Sequence, residues 1–180
     1  MTPLILLDRD GIINHDSPFY VKGVDELVLI PESVHAIARL TATGYQIGVA
    51  TNQSGVSRGL YTETELLAMH QKMKDVITAA GGRIDAVRYC IHLPEQNCSC
   101  RKPQPGMLHA LAAYFKHSLA GVPFVGDRVS DILAARAAGA TPIMVLSAMT
   151  ERGELKKYPE VPIYHSLAQY VDELLASEAL

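Results

Sequence analysis

The sequence predicts an α/β fold, a three-layer Rossmann-like sandwich with a mostly parallel central sheet. Three observations carry this expectation. Short apolar runs alternate with amphipathic helical stretches, the pattern of right-handed βαβ units. The runs are continuously apolar, as strands covered on both faces are. Four of them run into polar clusters, which puts those residues on the carboxyl rim of the sheet, where open α/β sheets hold their ligands. The 180 residues suffice for a single domain, 1–180, with a full core.

The first run, Pro3-Leu4-Ile5-Leu6-Leu7, ends in Asp8-Arg9-Asp10-Gly11. Residues two apart in extended chain share a side, so Asp8 and Asp10 converge while Arg9 points away. Gly11 lets the backbone turn. Residues 12–29 are irregular, either a substrate-contacting flap or a solvated connection. Pro31 and Glu32 open a helix with Val34, Ile37, Ala38 and Thr41 on one face, stopped by Gly44. Tyr45 to Ala50 is a strand ending in Thr51-Asn52-Gln53-Ser54-Gly55. Thr62 and Glu65 form a capping box for a helix whose apolar face carries Leu66, Met69, Met73, Val76, Ile77 and Ala80, closed by Gly81-Gly82.

Ile84 to Tyr89 is a third strand, running into a cysteine loop at 90–100. Arg101-Lys102-Pro103 leads to a helix with Leu108, Leu111, Ala112 and Phe115. Val122 to Val125 is a fourth strand, ending in Gly126-Asp127, after which Ser130 caps a helix over 131–138. Pro142 to Leu146 is a fifth strand, 147–160 a polar surface connection, Val161 to Tyr164 a short edge strand and 167–175 a last helix.

Composition excludes several functions. With 48% hydrophobic and 19% charged residues the chain is ordinary for a globular protein. A net charge of -3 offers no footing for nucleic acid. No stretch reaches the roughly eighteen apolar residues of a membrane span, and the N-terminus lacks a basic region before a signal-type core, so a cytoplasmic location is expected.

Asp8, Asp10, Asp127 and Asp131 are four carboxylates aimed at one rim. Two like charges about 4 Å apart repel by roughly 4 kcal/mol at an effective dielectric of about 20, so the cluster calls for a cation. Hard oxygen ligands without a nearby histidine suit Mg²⁺, which usually accompanies a phosphate. One carboxylate can then attack phosphorus, and a second can protonate the leaving oxygen and later deprotonate water. Thr51 offers a hydroxyl, and Lys102 a positive charge, to the phosphoryl group. No G-x-x-x-x-G-K-[ST] loop, nucleophile elbow or cysteine-phosphatase loop is present.

Cys90, His92, Cys98 and Cys100 make three thiolates and one imidazole, a closed tetrahedral set of the kind that holds structural Zn²⁺. The alternative is three unrelated buried thiols. The other six histidines, His15, His35 and His70 among them, read as surface or helix residues rather than ligands.

Asp8-Arg9-Asp10-Gly11, Thr51 to Gly55, Arg101-Lys102-Pro103 and Gly126-Asp127 with Asp131 resemble, in order, the four motifs of the haloacid-dehalogenase (HAD) phosphatase superfamily. With the zinc loop the resemblance narrows to its heptose-bisphosphate 7-phosphatases and the related histidinol-phosphate phosphatases. Thr51 through Gly59, with Ser54 and Arg58, looks more like the heptose group. The resemblance implies a HAD-like fold with no large cap domain (in keeping with the absence of any long insertion), Asp8 as nucleophile and Asp10 as general acid/base. It implies Mg²⁺ on Asp8, the Asp10 main-chain carbonyl and Asp127, with Gly11 and Asp131 in support. Thr51 and Lys102 would stabilise the phosphoryl group. Asp16, Ser17, Pro18, Phe19, Tyr20, Thr51, Asn52, Gln53, Ser54, Arg101, Lys102 and Arg128 would meet a sugar bisphosphate, on the route to nucleotide-activated heptose for lipopolysaccharide. Neither nucleic acid nor membrane is an expected partner, and a monomer is expected. Histidinol-phosphate hydrolysis and a non-catalytic zinc-loop binding module are the competing expectations.

Overall fold

The structure, a computed structural model, describes residues 1–180. Its centre is a six-stranded, wholly parallel sheet: β1 (Leu4–Leu7), β2 (Gln46–Asn52), β3 (Ala86–Cys90), β4 (Pro123–Gly126), β5 (Thr141–Val145) and β6 (Ile163–Tyr164). The spatial order is β3-β2-β1-β4-β5-β6. From β1 the chain builds outward to one side through β2 and β3, then returns to the other side with β4. The topological switch point therefore lies between the carboxyl ends of β1 and β4, with the end of β2 alongside, where such sheets bind ligands.

The pleat of β1 divides the core. Ile5 and Leu7 face α1 (Pro31–Ala42), α2 (Glu63–Ala79) and α5 (Leu167–Glu178), in a cluster with Ile37, Leu66, Met69, Ile77 and Val171. Leu4 and Leu6 face α3 (Gly106–Phe115) and α4 (Val129–Ala138), among Leu108, Leu111, Phe124 and Ala135. All four β1 side chains are buried, which is why the run could be uniformly apolar. No helix is long and apolar enough to cross a membrane.

Several sequence expectations change. The Thr62/Glu65 capping box is present, but Val76 turns outward and His70 takes a buried place on α2. Helix α4 starts at Val129 and not at Asp131; Ser130 is inside it, and Asp131 reaches back to accept from the N–H groups of Asp127 and Arg128 at 3.1 and 3.0 Å. The 147–160 connection carries a 3-10 turn at Arg152–Lys157. Residues 12–29 are no loose solvated link: Ile12, Ile13, Val21 and Leu27 are buried, and Lys72 on α2 donates to the carbonyls of Val24 and Leu27.

Candidate active site

Four segments converge beyond the strand ends. Asp8 is buried, and its Oδ1 accepts from the Arg9 N–H at 2.8 Å and from Lys102 Nζ at 2.9 Å. Lys102 Nζ also meets Asp131 Oδ1 at 2.7 Å and the Ala50 carbonyl at 2.9 Å, so its three protons each have a partner. Burial alone would favour neutral lysine, but Asp131 and Asp8 reverse this and hold Lys102 charged. The lysine stays in place because Asn52 pairs with its peptide at both ends: the Lys102 N–H donates to Asn52 Oδ1 at 3.0 Å and Asn52 Nδ2 donates to the Lys102 carbonyl at 3.1 Å.

Asp8, Asp127 and Asp131 bring carboxylate oxygens within 4.8 Å of one another. Asp131 is spoken for by Lys102 and two backbone N–H groups. Asp127 is different. Its Oδ2 accepts from Ser147 Oγ at 2.7 Å, while its Oδ1 is buried with no donor. A buried carboxylate oxygen without a donor beside a second carboxylate marks a place for a cation. Burial first and then Asp131 push Asp127 up to about 7, and the same two causes raise Asp8 well above the carboxylate range. The Asp8 and Asp127 oxygens fit a hard divalent ion such as Mg²⁺.

Backbone space matters here as well. Gly11 has φ +81°, and a Cβ there would come within 2.1 Å of Asp127 Oδ2. A Cβ on Gly126 would come within 2.3 Å of Asp131. These glycines let the acids approach one another.

The side chain of Asp10 departs from expectation by not joining this triad. Arg9, expected to point away, folds back so that its Nε and Nη2 donate to Asp10 Oδ1 at 3.1 and 2.8 Å, joined by Asn14 Nδ2 at 2.9 Å. Gln53 Nε2 donates to Asp10 Oδ2 at 3.1 Å. Burial would raise Asp10, but Arg9 and these hydrogen bonds outweigh it and keep the carboxyl below its usual range.

A cleft of about 580 Å³ opens above these groups. Asp8, Asp10, Asp127 and Asp131 lie in its wall with Lys102; Asp16, Ser17, Pro18 and Tyr20 line it from the flap, and Asn52, Gln53, Ser54, Arg58, Arg101 and Arg128 from the other loops. Two expected residues do not line it. Phe19 is 77% exposed at the flap surface, and Thr51 is buried behind the rim, its hydroxyl accepting from Gln53 Nε2 at 2.8 Å. Tyr61, Met149 and Glu151 line the cleft without having been anticipated, and Glu151 pairs with Arg128 at 3.1 Å. Ser147 was also missed. It follows β5, a strand end on the same rim, and that position was the available signal.

Beside the cleft, Cys90, His92, Cys98 and Cys100 bring four ligand atoms together. A tetrahedron of ~2.3 Å Zn–S bonds has edges of ~3.8 Å. Cys90 and Cys98 sulfurs are 3.6 Å apart, and His92 Nδ1 lies 3.5 and 3.3 Å from Cys90 and Cys100. The Cys90–Cys100 edge is tighter, at 2.7 Å. Against the effect of burial, the Arg101 N–H and the neighbouring His92 pull Cys98 down to about 6. Arg101 is tied to this loop through its Nη1, which donates to the His92 carbonyl at 3.2 Å.

An acid at the end of β1, salt-bridged to a lysine from the far loop and neighboured by an acid after β4, defines the class of HAD-like hydrolases. A HAD-hydrolase-like family model matches residues 99–174. Proteins named D-glycero-beta-D-manno-heptose-1,7-bisphosphate 7-phosphatase from Pseudomonas putida and Pseudomonas aeruginosa are 46% and 43% identical to the chain, covering 96% of it and 99% and 97% of their own lengths. The crystal structure of D,D-heptose 1.7-bisphosphate phosphatase from B. bronchiseptica, complexed with magnesium and phosphate, superposes with TM-score 0.88 at 41% identity, over 97% of this chain and 99% of that one. The chain belongs to the D-glycero-beta-D-manno-heptose-1,7-bisphosphate 7-phosphatase family.

Proposed function

We propose that this chain is a Mg²⁺-dependent phosphatase that hydrolyses the 7-phosphate of D-glycero-β-D-manno-heptose 1,7-bisphosphate through an aspartyl-phosphate on Asp8. The observation that carries the reading is Asp8 held by Lys102 at 2.9 Å beside Asp127, whose buried Oδ1 has no donor. The β anomer follows the name that the Pseudomonas relatives carry.

Lys102 and the Arg9 N–H both hold Asp8 Oδ1, which leaves Oδ2 to attack phosphorus. As the bond from phosphorus to the C7 oxygen breaks, Asp10 passes a proton to that oxygen. Asp10 is held ionised in the free site, so it first takes that proton from solvent, as the incoming phosphate charge beside it raises its proton affinity. Water then attacks the acyl phosphate, Asp10 takes the proton, and inorganic phosphate leaves with the Asp8 carboxylate restored. Asp8, Asp127 and the Asp10 main-chain carbonyl would hold Mg²⁺, which would supply positive charge to offset the clustered carboxylates and phosphoryl oxygens. Arg58, Arg101 and Arg128 around the cleft suit a substrate with a second phosphate.

Zn²⁺ on Cys90, His92, Cys98 and Cys100 belongs to the same proposal, as a structural ion that orders the loop carrying Arg101. So does a cytoplasmic place on the route to nucleotide-activated heptose.

Phosphate release from heptose 1,7-bisphosphate and from histidinol phosphate, with and without Mg²⁺, tests the reading. Mg²⁺-dependent turnover favouring the heptose substrate is expected. A preference for histidinol phosphate would overturn the substrate, and full activity of Asp8→Asn would overturn the chemistry.

A further inference from the structure

Arg9 and His70 form a buried pair behind Asp10. The Arg9 side chain is wholly buried, and its Nη1 lies 3.2 Å from Nε2 of His70, which is 4% exposed on α2. A guanidinium has donors and no acceptor, so Nη1 donates and Nε2 accepts. The His70 proton is therefore on Nδ1, and the ring is neutral. Burial, and then Arg9 with a smaller push from Lys74, hold His70 down at about 3 against the opposing pull of Asp10, so the ring stays an acceptor at working pH. The Tyr89 ring, 5.8 Å away and tilted by 53°, packs beside it.

The geometry at Asp10 shows what this pair does. Arginine and carboxylate commonly meet as a fork on a fork, with both oxygens engaged. Here Nε and Nη2 both go to Oδ1, which also takes Asn14, while Oδ2 has only the Gln53 amide. Because His70 takes Nη1, the guanidinium offers only its Nε–Nη2 edge, and that edge is spent on one oxygen. We propose that Arg9 and His70 are positioning residues for the general acid/base, a brace from α2 that keeps the guanidinium off Asp10 Oδ2, the oxygen left for the proton transfers. Without an acceptor at His70, Nη1 is a buried charged donor with no partner, a costly state. The guanidinium then turns to spread over both Asp10 oxygens.

The inference rests on Asp10 acting as general acid, and the test separates the two. A sugar alkoxide needs a proton to leave, whereas 4-nitrophenolate does not. The value of kcat/KM reports the steps through leaving-group departure, so it is measured for heptose 1,7-bisphosphate and for 4-nitrophenyl phosphate. Asp10→Asn should lose activity far more on the sugar substrate. For His70→Leu we expect a loss of roughly 10- to 100-fold on the sugar, a fraction of a full general-acid contribution, and within about 3-fold on the aryl ester, with KM little changed. His70→Gln, whose amide oxygen accepts from Nη1, should recover most of that loss. Arg9→Lys, which keeps the charge without the fork, should repeat the selective loss and serves if His70→Leu does not fold. If Asp10→Asn is selective and both brace variants lose the two activities equally, or lose neither, the brace is wrong. If Asp10→Asn itself shows no selectivity, the role of Asp10 fails and the brace with it.

Discussion

Ser147 decides which oxygen of Asp127 is free. Its hydroxyl donates to Oδ2 at 2.7 Å, and Oδ1 is left to a cation. Hydrogen bonds behind a metal ligand typically change affinity by about 10- to 100-fold when lost. Ser147→Ala should therefore raise the Mg²⁺ concentration for half-maximal activity by about that range, with kcat at saturating Mg²⁺ much less affected; an unshifted Mg²⁺ curve would show that Asp127 needs no orientation. Arg101 and Lys102 are neighbours with separable roles. Arg101 lines the cleft from the cysteine loop, whereas Lys102 is buried against Asp8 and Asp131. Arg101→Ala should raise KM more than it lowers kcat, and Lys102→Ala should strike kcat. The reverse pattern in steady-state kinetics would exchange the two assignments.

Elements place these residues, and the strand ends were the most legible part of the chain. Continuous apolar runs located the parallel strands, and the polar cluster after each run located the rim. The capping box at Thr62 and the glycine stops marked helix ends for local reasons that a sequence displays. Val76 and His70 show where that reading gives out. Both lie on α2, and a valine normally outranks a histidine for the buried face; here an arginine from the end of β1 needs an acceptor at His70, a long-range requirement with no local pattern. Arg9 itself was misread because extended geometry ends at Asp8, and beyond it the side chain follows hydrogen bonds and not the pleat. The cysteine loop has little packing to hold it, since its 3-10 turn at Pro94–Gln96 buries nothing. Zinc binding of about 10–16 kcal/mol is large against about 1–2 kcal/mol per ordered residue. Stripping zinc, or Cys98→Ala, should speed amide exchange across residues 91–101. Lys102, still pinned by Asn52, should move less than Arg101, so KM should suffer more than kcat. Unchanged exchange in zinc-free protein would mean that the loop holds itself.

The molecule as a whole gathers acids at its centre, and its stability should register that. Asp127 is pushed from 3.8 up to about 7 and Asp8 is raised as well, both by burial first and by Asp131 next. Between about pH 4 and pH 7 the folded protein thus keeps protons that the unfolded chain has released. Stability rises with pH only where the unfolded state binds more protons, so here the sign is opposite: metal-free protein should lose stability as pH climbs through this window. Mg²⁺ binds the folded, ionised cluster and should oppose that loss. At 100 times its Kd a ligand contributes about 2.7 kcal/mol, and about 2–4 °C of Tm accompanies each kcal/mol in a chain of this size. Thermal melts should therefore show Mg²⁺ raising Tm by about 5–10 °C at pH 8 and by little at pH 5. Asp127→Asn should remove its share of the pH-dependent loss in metal-free protein, leaving that of Asp8, together with most of the Mg²⁺ shift. An equal Mg²⁺ shift at both pH values would mean that Asp8 and Asp127 are already ionised without metal, and that Lys102 alone suffices to hold three carboxylates together.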